Sequence, residues 1–515
     1  MSAERPGPPE GPATPSLTTR TVRGFVWIFT GTVSQALLQI VSMVLLARLL
    51  TPAEFGSATA AALVVGLTQL VSQLGVGPAL VQRRTLTDAE VSAAFAFSVV
   101  LSLLLAGLLH LMTPVFNVLV GLPPDSTLLR LLTLALVLAG VSAVPLGLLQ
   151  RRLQFRSMAV VDVIAFGPAT IGVSVLLAVQ GHGAVSIVWG QIAAALVTAV
   201  GYLWLARPSV RPAGPVAIWR SIRGLVGFGS GYSLSQVGNW FALNSDKFIV
   251  ANMLGPSPLG IYHRAYGLLS QPANVIGSAV DKALFPAMSK VRDDGARLQY
   301  AYVRAASLVA LVTVPASVLM FVLAPEVVQL VLGEGWSAVV VPLQVFAVVL
   351  LPRASYKISG SLTRATGAVY RGAWRQWMYA AEVVVGCAIG AQWGVNGVAV
   401  GASVAIVLHF LVMLHFSGRV ADGLVGTVLR MYLKHVPTAV AAFLAVYGVT
   451  EAVRPLGYSL LTVVLAALAG ILATALVLVL LRRYFRDEIA VFSTFARRKG
   501  AKRGGGVRAG EATTR

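Results

Sequence analysis

Arg353 and Lys357 stand four residues apart inside an apolar run of the 515-residue chain, so a helix through that run places both cations on one face. Two like charges on a buried face repel each other unless an anion or carboxylates lie opposite. An ionisable residue at membrane depth costs at least ~2.5 kcal/mol on insertion scales, so each one asks for a partner or a purpose. An anionic ligand would supply one for this pair, and so would a structural network with Glu382 or Asp162. A second polar group, Asn239, Asn244, Asp246 and Lys247, occupies the outer half of another run. There Lys247 suits an anion or a sugar with Asp246 balancing it, unless the two simply pair with each other. Arg264 follows beside Tyr262 and Tyr266, near enough to a run's end to snorkel to the interface. Glu382 lies mid-run with no cation within a turn in sequence. Such a carboxyl is a candidate for reversible proton binding and ion coupling, or else a neutral or Arg353-paired structural group.

The elements that hold these residues are set by composition. The chain is 57% hydrophobic and 11% charged, with a mean hydropathy of +0.80, which soluble cores of ordinary size do not accommodate. A membrane helix needs roughly 20 apolar residues to cross about 30 Å of hydrocarbon. Such runs fall near 24–47, 57–80, 91–113, 127–149, 157–180, 185–206, 224–252, 261–285, 304–324, 339–361, 373–392, 396–416, 432–450 and 459–481. The expected fold is therefore an all-α polytopic membrane protein with about fourteen transmembrane helices.

The net charge of +21 has a topological explanation. With both termini in the cytoplasm, every inner segment is basic. All but eight of the 40 Lys and Arg lie there, the eight being Arg48, Arg130, Lys247, Arg264, Lys282, Arg353, Lys357 and Arg454. Attraction to anionic inner-leaflet lipid follows, and nucleic acid is not an expected partner. Residues 1–22 read as a flexible cytoplasmic tail without a secretory signal. In the tail 482–515, Phe485, Ile489, Phe492 and Ala496 recur at helical spacing among arginines, as in an interfacial helix.

The outer end of the first run has an echo 204 positions later. Ala47, Leu50, Pro52 and Gly56 recur as Ala251, Leu254, Pro256 and Gly260, and Ala79-Leu80 as Ala283-Leu284. Read as a duplication, this gives an N-lobe at 23–206 and a C-lobe at 224–416, joined by the proline-rich linker 207–223. Six spans per lobe make the lobes parallel, with a central cleft between them and an extra helix pair at 417–481. Within the echo Arg48 answers to Asn252, so an anion path is expected to be asymmetric, with Arg48 as the first lobe's candidate.

Leu46-Ala-Arg-Leu-Leu-Thr-Pro-Ala-Glu-Phe-Gly56, Val144-Pro-Leu-Gly-Leu-Leu-Gln-Arg-Arg-Leu-Gln-Phe-Arg156, Asn244-Ser-Asp-Lys-Phe-Ile-Val-Ala-Asn-Met-Leu-Gly255 and Leu259-Gly-Ile-Tyr-His-Arg-Ala-Tyr266 resemble the polysaccharide-biosynthesis (Wzx/WzxC-like) oligosaccharide flippases. The resemblance spans roughly residues 20 to 420. It implies the multidrug/oligosaccharidyl-lipid/polysaccharide superfamily fold and a transporter that carries an undecaprenyl-diphosphate-linked glycan from the inner to the outer leaflet by alternating access. It further implies a plasma-membrane location, a diphosphate for the buried cations, and glycosyltransferases and a polymerase as functional partners. Asn252 departs from the pattern, standing where relatives usually carry arginine.

Other classes find little support. Gly227-Phe-Gly-Ser-Gly231 lacks the spacing of a dinucleotide loop and no phosphate-loop motif occurs, so direct use of ATP is not expected. The six histidines are dispersed and Cys387 is the sole cysteine, which gives neither a metal site nor a disulfide. No cofactor is expected and the chain does not read as an enzyme. A polymerase or ligase would need a large outer loop, and none here exceeds about 15 residues. An organic-cation efflux antiporter of the same fold is the alternative, set against a path rich in cations; a non-transporting scaffold is the third reading.

Overall fold

The computed structural model describes residues 34–208 and 237–486, apart from short gaps at 74–76, 78–79, 82, 84, 242, 292–293, 366–368, 420–422 and 458. The expected N-terminal tail, nearly all of the linker 207–223 and the tail beyond 486 lie outside the described residues.

Every regular element described is helical: α1 Ser34–Leu49, α2 Pro52–Gln73, α3 Asp88–Leu111, α4 Thr113–Leu119, α5 Leu128–Arg151, α6 Phe155–Val179 and α7 Ala184–Ala206. The series continues with α8 at 243–254, then α9 Pro256–Ser289, α10 Gly295–Val322, α11 Ala324–Val331, α12 Val340–Val348, α13 Leu350–Ala365 and α14 Val369–Gly390. It ends with α15 Gly394–Gly418, α16 Leu424–Lys434, α17 Val436–Val453 and α18 Ser459–Leu480. Among the described residues nine helices are long and apolar enough to span a membrane, ten when the bent pair α12/α13 counts as one. The chain is thus a multi-pass membrane protein.

Three apolar runs are less regular than their hydropathy implies. The run near 339–361 is bent by 47° between α12 and α13. Pro352 has no N–H to give and its ring clashes with the carbonyl four residues back, that of Val348, where α12 stops. The run near 157–180 widens into a π-helical stretch at Ala165–Gly172, which contains Pro168. The run near 432–450 is interrupted at His435, between α16 and α17, which starts at Val436 with Pro437 in its first turn.

The chain divides into two compact units, one of residues 1–50 and 61–238 and one of residues 51–60 and 239–515. In the first, Leu80, Val144, Leu148, Leu149 and Tyr202 centre a core between α3, α5 and α7. Arg151 donates to the Leu80 and Arg83 carbonyls, and Arg152 to the Ala206 carbonyl at 2.8 Å, tying helix ends together. In the second, Met288, Tyr302, Ile358, Leu362, Phe410, Leu414 and Val428 join α9, α10, α13, α15 and α16.

The echoed motifs meet inside the second unit. Thr51 caps α2, its N–H donating to Glu54 Oε2 at 2.7 Å while the Glu54 N–H returns to Thr51 Oγ1 at 3.3 Å, with Pro52 in the first turn. α9 starts instead from Gly255 at φ +86°, again with proline next. A Cβ on Gly56 would run into the Pro256 carbonyl, and one on Gly260 into the Pro52 carbonyl. The contact is reciprocal, as in an isologous pair.

Candidate functional site

In the second unit the sequence-expected residues Asp246 and Arg353 come together around two tyrosines. Tyr262 and Tyr266, one turn apart on α9, share a face and stack at 6.1 Å. The Tyr262 hydroxyl donates to Asp246 Oδ2 on α8 at 2.9 Å. Arg353 Nη2 on α13 donates to the Tyr266 hydroxyl at 2.7 Å, with the guanidinium 4.6 Å from that ring's centre. Phe346 of α12, fully buried, sets its edge against both tyrosines at 5.6 Å.

The bend between α12 and α13 separates Phe346 from Arg353, so the wedge and the cation approach Tyr266 from two helix segments. On the far side of α13, Ser355 accepts from the Tyr432 hydroxyl at 2.6 Å and Ser359 bonds Tyr302 at 2.7 Å. These bonds to α16 and α10 fix the helix rotation that turns Arg353 and Tyr356 the other way. Tyr356 meets Tyr379 of α14 and His409 of α15, the last two rings 4.4 Å apart. α14 and α15 approach closely along Gly386 and Gly390 against Gly401 and Gly397, the small-residue packing of membrane helices.

Lys247 does not pair with Asp246. Its ammonium donates to Asn244 Oδ1 at 2.9 Å and to the Leu243 carbonyl at 3.3 Å, and lies 5.4 Å from the Tyr266 ring centre. Two cations thus flank one tyrosine while the carboxylate is held by the other. Burial leaves charges incompletely met: Asp246 Oδ1 and Arg353 Nε are buried with no hydrogen-bond partner among the described residues.

The remaining expected residues stand elsewhere. Arg264, two positions from Tyr262 and Tyr266, faces the opposite side of α9; its guanidinium lies 3.6 Å from the Phe55 ring centre and 6.0 Å from that of Trp336. Lys357 is half-buried one turn beyond Arg353. Glu382 is half-buried one turn beyond Tyr379, with Oε2 buried and unbonded. Arg48 is exposed in the first unit. Asp162, the alternative partner for Arg353, is also in the first unit and accepts from Tyr202 at 2.5 Å.

Sequence reasoning missed Tyr379, His409 and Phe346. The legible signal was Tyr379 one turn before Glu382, with His409 near the middle of a predominantly apolar run that carries a second histidine, His415, near its end.

The family model described as polysaccharide biosynthesis protein matches residues 45–341. The lipopolysaccharide biosynthesis protein WzxC of Escherichia coli (strain K12) is 25% identical over 354 residues, 69% of this chain and 72% of that one. The teichuronic acid biosynthesis protein TuaB of Bacillus subtilis (strain 168) is 26% identical over 357 residues, 68% and 73% of the two chains. Among solved structures, the lipid II flippase MurJ in an inward closed conformation superposes with a TM-score of 0.69 at 13% identity, covering 90% of this chain and all of that one. That likeness carries the fold.

Proposed function

The chain belongs to the polysaccharide biosynthesis protein family, and from that premise we propose that it is a flippase moving an undecaprenyl-diphosphate-linked oligosaccharide from the inner to the outer leaflet of the plasma membrane. In this reading fourteen spans form two six-helix lobes and an added pair, both termini are cytoplasmic, and the lobes rock to give alternating access. Anionic inner-leaflet lipids surround its basic loops, and a polymerase and glycosyltransferases supply the neighbouring steps.

The observation that carries the proposal is Arg353, 6% exposed, with one guanidinium nitrogen unbonded and Lys247 across the same tyrosine. A lipid diphosphate must bring its charge through low dielectric while its tail stays in hydrocarbon. A guanidinium already desolvated meets that charge at much greater strength than one in water. Lys357, on the same helix one turn away, extends the cationic path. An organic cation finds the Tyr266 ring already taken by Arg353 and Lys247, which disfavours the efflux reading.

Cells dependent on this chain and carrying Arg353→Ala with Lys357→Ala should lose surface polysaccharide while immunoblots show normal amounts of inserted protein. Undiminished export would refute the assignment. Glu382 is the proposed ion-coupling residue, its Oε2 being buried and unbonded. In proteoliposomes Glu382→Gln should abolish the dependence of flipping on a pH difference; a variant with the native profile would remove Glu382 from that role.

A further inference from the structure

Three side chains of the second unit are almost wholly buried, and each keeps a polar atom that no described residue hydrogen-bonds. Asp246 is 4% exposed with Oδ1 unpartnered, Arg353 is 6% exposed with Nε unpartnered, and His409 is 2% exposed with Nδ1 unpartnered. Buried polar atoms without partners are few in native proteins, and each calls for an explanation. Tyrosines link them: Arg353 bonds Tyr266, which stacks on the Tyr262 that holds Asp246, and Tyr356, three positions along α13 from Arg353, lies 5.3 Å from the His409 ring. Tyr379 lies within electrostatic reach of both Asp246 and Arg353, and its ring is 4.4 Å from that of His409.

Their chemistries differ in a way that specifies a ligand. The guanidinium only donates, the carboxylate only accepts, and the imidazole does either. A diphosphate satisfies Arg353 but brings more negative charge toward Asp246. A sugar hydroxyl does what an ionised phosphate cannot, donating its O–H to a carboxylate, and it also accepts from an imidazole N–H. Tyr356 and Tyr379 add aromatic surface against which the apolar C–H faces of a sugar ring pack.

We propose that this cluster is a subsite for the glycosyl end of the lipid, with the phosphate on Arg353 and hydroxyls of the first sugar on Asp246 and His409. The assignment rests on the flippase reading and names the part of that site which reads sugar. It makes the site selective against the bare carrier lipid, because a ligand without hydroxyls leaves both groups buried and unpaired. Asp246 then serves recognition, distinct from the ion coupling assigned to Glu382.

The test is binding to the full chain in nanodiscs, with undecaprenyl diphosphate and the same lipid carrying a single hexose, drawn from a panel of hexoses, as probes. The native chain should prefer its best sugar-bearing probe by about tenfold or more, the scale of one hydrogen bond to a charged group. Asp246→Asn should bring that ratio toward one. His409→Phe, which keeps the ring packing, should do the same, and Arg353→Gln should weaken both probes alike. A native ratio of one for every hexose, or an unchanged ratio in Asp246→Asn and His409→Phe, would overturn the sugar subsite. Failure of the native chain to bind either probe would overturn the flippase reading itself.

Discussion

α2 and α9 begin alike and then part. Both start with proline, both carry a glycine four residues later, and the two glycines pack reciprocally. Beyond that contact, α2 reads Ala58-Thr59-Ala60-Ala61-Ala62 where α9 reads Tyr262-His263-Arg264-Ala265-Tyr266. One copy keeps the small residues that let helices pack closely. The other holds Asp246, meets Arg353 and grips Phe55. Two helix starts of like sequence thus share a packing contact, while the tyrosines and the arginine that meet buried partners belong to one of them.

The comparison breaks most sharply at Tyr266. Tyr266→Ala gives α9 the residue that α2 has at position 62, and it removes the acceptor for Arg353 together with the ring between the two cations. Transport per inserted molecule should fall at least about tenfold, since a hydrogen bond to a charged group is lost. Tyr266→Phe, which keeps the stack on Tyr262 and the edge of Phe346, should fall less. The readout is lipid flipping in proteoliposomes corrected for incorporation. Native rates for Tyr266→Ala would mean that the two copies differ in sequence but not in role.

How much of this was legible in the chain follows from which interactions are local. The all-helical, multi-span character was, because apolar runs and prolines act over one or two turns; nine helices long and apolar enough to cross, or ten with the bent pair, are found among the described residues. The pairing of Arg353 with Lys357 on one face was also legible, being a matter of helical period. That Arg264 would leave its tyrosines was legible in principle, as positions two apart face opposite sides of a helix; its partner was not, since Phe55 lies more than 200 residues away. That His409 and Tyr379 would meet was not legible for the same reason. The mid-run imidazole of His409 gains meaning only when α14 and α15 bring it against Tyr379, and that approach depends on four glycines rather than on any polar signal. The bend at Val349, which sets Phe346 and Arg353 on two helix segments, is lost on a reading that draws 339–361 as one straight span.

A smaller effect sharpens the comparison at its origin. Gly56 and Gly260 each face the carbonyl of the other copy's first helical proline, and ideal Cβ positions would lie 3.0 Å from the Gly260 nitrogen and 3.2 Å from the Gly56 nitrogen. Backbone cannot yield as a side-chain tip does, so Gly56→Ala or Gly260→Ala must push the helices apart, at a cost of about 1–3 kcal/mol for overpacking. Reciprocity makes the two costs equal. It also makes the double variant less costly than their sum, because the separation forced by one methyl accommodates the other. Thermal unfolding of the detergent-solubilised chain measures all three. Equal single shifts with a sub-additive double are expected; clearly unequal singles would show that the echo marks two similar helix starts without the two-fold relation between them.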